Sequence, residues 1–246
     1  MCGRYAASAS QDLLVETFEI DEVVDLPASS WNVAPTDPVP AVVERKPRVD
    51  GDSDEPEDRE PVRKLVAPRW GLVPSWSKSA KSGASMINAR VETVATKPAF
   101  RRAFSSRRCL LPAEGYYEWY DTQLTDAKGK PVKQPFFIRP ADEGLLVMAG
   151  IYEFWKDPDS GEWLTSCAVI TTTATDSLGH IHDRMPMVID PESWDAWLDP
   201  YVTDPDQAMA LLSVTAADQL EAYAVSRAVG NVRNNNPDLV EPIEES

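Results

Sequence analysis

Cys2 stands next to the start of the chain, in Met1-Cys2-Gly3-Arg4-Tyr5. An initiator methionine is usually removed when the residue after it is small. Its loss here would leave a thiol and a free α-amine on one residue. Their ordinary pKa values, about 8.5 and about 8, give each a usable nucleophilic fraction near neutrality. An aldehyde condenses with such an amine to an imine, and the thiol then closes a five-membered thiazolidine ring. An internal cysteine has no amine and cannot do this. The plain alternative is a terminal residue that frays in solvent.

The two histidines fall together in His180-Ile181-His182-Asp183-Arg184-Met185-Pro186. Imidazole is the natural proton-transfer group near neutral pH. In an extended segment His182 and Arg184 share a face, and a guanidinium can hold a phosphate bidentately. Two histidines with no third supply a zinc site poorly, so no metal is expected. Glu114 and Glu118 flank Gly115-Tyr116-Tyr117. A carboxyl among aromatic rings is desolvated, its pKa rises, and it can act as acid and then base. A surface or salt-bridged role is the ordinary alternative for each.

Asn88 and Arg90 alternate in Asn88-Ala89-Arg90-Val91-Glu92, an amide and a guanidinium suited to orienting a sugar and a phosphate. Trp70-Gly71-Leu72-Val73-Pro74-Ser75-Trp76 offers aromatic surface for base stacking, although core packing explains either tryptophan as readily. Arg101, Arg102, Arg107 and Arg108 form a local basic stretch, or simply a solvated face.

The elements that must carry these groups are mostly strands. Strand character marks residues 39–43, 65–72, 109–112, 116–120, 136–139, 145–152 and 166–172. Residues 121–134 read as a polar hairpin loop. Helical spacing marks residues 11–18, and a turn with a short helix falls within 91–104. Further helices are expected over 191–198, 204–213 and 215–223. Many strands, few helices and no regular βαβ alternation indicate an α+β fold with mostly antiparallel sheet. Between Asp50 and Glu60, seven of eleven residues are acidic, which indicates a solvated surface insertion.

The net charge is −16, from 40 acidic and 24 basic side chains. Alone, this opposes nucleic-acid binding, because such a chain repels phosphates. A high-salt cytoplasm selects the same excess and screens the repulsion. Any nucleic-acid contact must then come from local basic groups. Cys109 and Cys167 lie in apolar runs and read as core residues, so the three cysteines are no disulfide framework. Neither a signal peptide nor an apolar run of membrane-spanning length is evident, which points to a reducing cytoplasm.

These segments together resemble the SRAP (SOS response-associated peptidase) family. The resemblance rests on Cys2-Gly3-Arg4-Tyr5, Trp31-Asn32-Val33-Ala34-Pro35, Arg69-Trp70-Gly71-Leu72-Val73-Pro74 and Asn88-Ala89-Arg90-Val91-Glu92-Thr93. It extends through Gly115-Tyr116-Tyr117-Glu118-Trp119, His182-Asp183-Arg184-Met185-Pro186 and Val232-Arg233-Asn234-Asn235-Asn236. It implies one domain over residues 1–246, with a barrel-like core, peripheral helices and an acidic insertion at about residues 44–64. It also implies covalent capture of abasic sites in single-stranded DNA through Cys2 after Met1 is lost, without a cofactor. A lyase side activity and self-removal of Met1 are implied too. Asn88, Glu118 and His182 match the family's active-site positions, and Glu114 does not. Arg4, Asn32, Trp70, Arg90 and Arg184 match its DNA-contacting positions. A monomer associated with the nucleoid, and with replication-fork proteins, is the expected setting. Two rival readings are a thiol peptidase using Cys2, His182 and Asn88, and a non-covalent binder of single strands.

Overall fold

A computed structural model of the chain describes residues 2–46, 60–174, 176–179, 181–212 and 219–243. Its strands are β1 (Tyr5–Ala7), β2 (Glu22–Val23), β3 (Ser30–Val33), β4 (Ala41–Arg45), β5 (Val62–Val66), β6 (Arg69–Trp70) and β7 (Asn88–Arg90). They continue with β8 (Arg108–Ala113), β9 (Gly115–Thr125), β10 (Pro131–Pro140), β11 (Leu146–Lys156), β12 (Trp163–Thr173), β13 (Arg184–Pro186) and β14 (Leu220–Ala224). The helices are short: α1 (Gln11–Phe18), α2 (Val91–Val94), α3 (Arg101–Ser106), α4 (Asp176–Gly179), α5 (Trp194–Leu198) and α6 (Pro205–Ala210).

The strands form two sheets. One runs β14-β10-β9-β1-β3, and the other β13-β12-β11-β8-β4-β5-β2, with β6 and β7 paired to β12. Most pairings are antiparallel; β6 and β7 on β12, and β2 on β5, are parallel. The mixed α+β class is therefore as expected, but the core is built from two open sheets, not a closed barrel. Burial explains the layering. Cys2, Tyr5 and Tyr116 from one sheet pack with Cys109, Met148 and Cys167 from the other. The far face of the larger sheet is covered by α1, α3, α5 and α6 through Leu14, Phe104, Trp197 and Ala208. The far face of the smaller sheet is covered by Val229 and Leu239 of the C-terminal turns.

Several expectations shift. Residues 220–223, read as the end of a helix over 215–223, instead fall in strand β14 on the edge of β10; residues 213–218 lie outside the described residues. The loop expected over 121–134 is mostly strand. β9 runs to Thr125 and β10 starts at Pro131, with a register shift where Lys133 pairs Asp121 and Val132 pairs Leu124. Within the range of about 44–64 expected for the acidic insertion, β4 and β5 pair as far as Arg45 and Val62. Residues 47–59, its acidic centre, lie outside the described residues.

Candidate active site

Cys2 is held because the chain beside it becomes an interior strand of a sheet, between β9 and β3. β1 is only three residues long, but it pairs with β9 at Tyr5–Tyr116 and with β3 at Tyr5–Val33. The Tyr117 amide also donates to Arg4 O at 2.9 Å. Cys2 is fully buried against Tyr5, Tyr116 and Trp70. Burial pushes its thiol well up, and the Glu118 carboxylate pushes it further; the Arg4 amide opposes this by hydrogen bonding.

Asn88 opens β7, in parallel register with Val169 of β12. Its Nδ2 donates to Cys2 O at 2.7 Å. Its Oδ1 is buried and accepts no hydrogen bond from the described residues. A buried amide oxygen left without a donor costs about 1–3 kcal/mol, so it is poised to accept from a ligand.

Glu118 follows Tyr116 by two in β9 and so shares its face. It is 4% exposed, between the sheets. Burial raises its carboxyl above the ordinary range, while the neighbouring His182 pulls the other way. Glu118 therefore lies within electrostatic reach of both Cys2 and His182. His182 Nδ1 accepts from the Arg184 amide at 3.0 Å and lies 2.9 Å from Asp183 Oδ1. His180 lies outside the described residues. Glu114 is different: its Oε2 accepts from the Ser8 amide at 2.8 Å. A cavity of about 850 Å³ lined by Glu114, Leu146, Ile189 and Trp194 includes none of the four grouped residues.

The residues expected at DNA divide. Arg90 is exposed at the end of β7. Arg184 grips Glu92 and donates to Thr171 O at 2.6 Å. Arg4 and Asn32 are committed inward. Arg4 Nη1 donates to Asn32 Oδ1 at 2.7 Å and to Val229 O at 2.9 Å. Asn32 Nδ2 reaches the carbonyls of Val229, Asn231 and Asn234 at 3.3, 3.1 and 2.7 Å. Asn32 is 3% exposed and Trp70 0%. Trp70 packs edge-on against Tyr5 at 4.9 Å and donates to Ile87 O at 3.0 Å. In this arrangement the Trp70 ring is enclosed by protein, and the Asn32 amide is fully engaged by protein groups. The exposed aromatic of that motif is Trp76, at 67%. Its loop is held where Gly71 meets Gly83: Gly71 has φ +125°, and a Cβ there would lie 2.6 Å from Gly83 O. The expected basic stretch also divides. Arg107 pairs with Glu153 at 2.8 Å, and Arg108 is buried, donating to the carbonyls of Trp197, Asp199 and Val202.

The family model for SOS response associated peptidase (SRAP) matches residues 1–232. The abasic site processing protein YoqW of Bacillus subtilis (strain 168) is 38% identical over 245 residues, covering 98% of this chain and 99% of that one. YedK of Escherichia coli (strain K12), also described as an abasic site processing protein, is 33% identical over 250 residues, covering 99% and 100%. A crystal structure of a protein from Bacteroides thetaiotaomicron superposes with a TM-score of 0.78 at 24% identity, covering 98% and 100%, which shows the shared fold. The chain belongs to the SRAP family.

Proposed function

We propose that the chain processes abasic sites in single-stranded DNA, capturing them covalently through Cys2 once Met1 is removed. The observation that carries this reading is Asn88 Nδ2 on Cys2 O at 2.7 Å, with buried Glu118 within electrostatic reach of Cys2 on one side and of His182 on the other. The relatives' descriptions as abasic site processing proteins support the substrate class.

The electrostatics favour one order of steps. With the thiol pushed up by burial, the amine is the better first nucleophile. It adds to the aldehyde of the ring-opened sugar, and loss of water gives an imine. The thiol then adds to the imine carbon, its proton passes to nitrogen, and a thiazolidine forms. Glu118, with its raised pKa, can deliver a proton to the leaving water and take one from the thiol. His182 is the second proton carrier, acting at the sugar ring oxygen. The Asn88 Oδ1 accepts from the Cys2 amine and orients it. Arg90 holds a flanking phosphate and Trp76 stacks on a flanking base. Ring closure removes the imine that would otherwise permit β-elimination and strand cleavage.

Intact-protein mass spectrometry tests this. The protein is incubated, at high and low salt, with a single-stranded oligonucleotide carrying one abasic site. The expected result is loss of Met1 and a stable adduct that Cys2→Ala abolishes. Mature protein that gives no adduct at either salt overturns the reading.

A further inference from the structure

The charge of the chain is strongly segregated. Residues 61–113 hold eleven basic side chains and one carboxylate, Glu92, in a protein of net charge −16. Arg184 takes that carboxylate. Within this segment Arg63, Lys64, Arg107 and Arg108 are engaged internally. Arg90, Lys97, Arg101 and Arg102 are exposed and make no ion pair among the described residues.

Arg90 ends β7, two residues after Asn88. The Lys97 amide donates to Thr93 O and the Arg101 amide to Lys97 O, each at 2.9 Å. Thr93 to Lys97 and Lys97 to Arg101 are thus each closed by an i+4 backbone hydrogen bond in the turns between α2 and α3, and all three residues are exposed. Val94, Phe100 and Phe104 turn to the core. The Lys97 ammonium rests 5.4 Å from the Phe100 ring centroid, which limits its freedom. A merely solvated helical face in so acidic a chain would interleave carboxylates at i+3 or i+4. None occurs from residue 93 to residue 113. Exposed cations at residues 90, 97, 101 and 102, beginning two residues after Asn88 and with no carboxylate after Glu92 in the segment, suit the repeating charge of a nucleic-acid backbone.

We propose that Lys97 and Arg101, with Arg102 at the margin, continue from Arg90 as a track for the phosphodiester backbone flanking the captured lesion. The identity of the lesion rests on the abasic-site reading; the phosphate contacts do not.

The test reads non-covalent affinity alone. The full chain is titrated by fluorescence anisotropy with an oligonucleotide carrying a stable abasic analogue that lacks the aldehyde, across a salt series. Each phosphate contact adds about 0.7 to the slope of log K against log salt for a single strand and about 0.9 for duplex. Lys97→Gln with Arg101→Gln lowers the slope by about 1.4 on a single strand. A fall of about 1.8, seen only when one flank is duplex, places double-stranded DNA on the track. Lys128→Gln with Lys130→Gln removes the same charge from the exposed β9–β10 turn and leaves the slope unchanged. No fall in the first pair, or an equal fall in both, overturns the track. Adduct formation with a true abasic site is measured in parallel on the unaltered protein. An adduct without the slope change sinks the track alone; a slope change without an adduct sinks the capture reading alone.

Discussion

Arg184 and Glu92 meet as a two-pronged ion pair, Nη1 to Oε1 at 2.6 Å and Nη2 to Oε2 at 3.1 Å. The pair ties the segment carrying His182 to the segment carrying Asn88, across the end of β12. Arg184 was expected to hold a phosphate with the same fork, so in this arrangement Glu92 occupies the place of an anion. The hydrogen bonds from Arg184 hold the Glu92 carboxyl below its ordinary range. The pair's contribution to stability is therefore complete above the ordinary carboxylate pKa of about 4.3 and fades as pH falls through the lower folded value. Glu92→Gln should lower stability at neutral pH by about 1 kcal/mol or less, since Glu92 is half exposed. Thermal melts at pH 7 and pH 3 check this: the variant's deficit should shrink at the lower pH.

Glu118 predicts the opposite sign. Burial raises its carboxyl in the folded state, so the protein gives up stability as pH rises from about 4.3 through the folded value. Glu118→Gln should then melt above the unaltered protein at pH 7, with the gain vanishing at pH 4. The same variant should form adduct about 10²-fold more slowly or worse, the usual size of a proton-transfer contribution. A variant that loses stability at pH 7 while keeping its adduct rate would assign Glu118 a structural role only.

The Arg4–Asn32 network separates two roles that look alike in sequence. Asn32 donates to three carbonyls of the C-terminal segment and accepts from Arg4, so Asn32→Ala leaves several buried groups unsatisfied. A loss of about 2–4 kcal/mol is expected, visible as a melting point lower by several degrees. An Asn32 that served DNA instead would leave the melt unchanged and weaken binding.

Those residues explain what sequence could and could not convey. Cys2, Asn88, Glu118 and His182 are legible because their chemistry depends on residue type, and the period of two puts Glu118 on the face of Tyr116. The inward commitment of Arg4 and Asn32 is not legible, because apart from each other their partners are carbonyls about two hundred residues away, without side-chain identity. Residues 220–223 misled for a related reason. Leu220, Glu221 and Ala222 favour helix, yet β10 offers an open edge, and tertiary pairing overrides propensity. The single carboxylate in residues 61–113 was visible in the sequence all along, but a whole-chain charge of −16 conceals it.

Trp70 and Trp76 carry the last prediction. They share one motif and differ only in what covers them: Trp70 is 0% exposed and Trp76 67%. Trp70→Ala would open a cavity beside Tyr5 and Cys2 and remove the hydrogen bond to Ile87, a loss of about 3–5 kcal/mol. Trp76→Ala should change stability by no more than about 0.5 kcal/mol, since its ring lies mostly in solvent. If Trp76 stacks on a base, that variant loses about 1–3 kcal/mol of single-strand affinity, roughly 5- to 150-fold in Kd. Paired melts and anisotropy titrations measure both. A Trp76 variant with unaltered affinity would move the stacking role elsewhere on the surface, while a Trp70 variant that folds normally and binds weakly would restore the DNA contact expected from the motif.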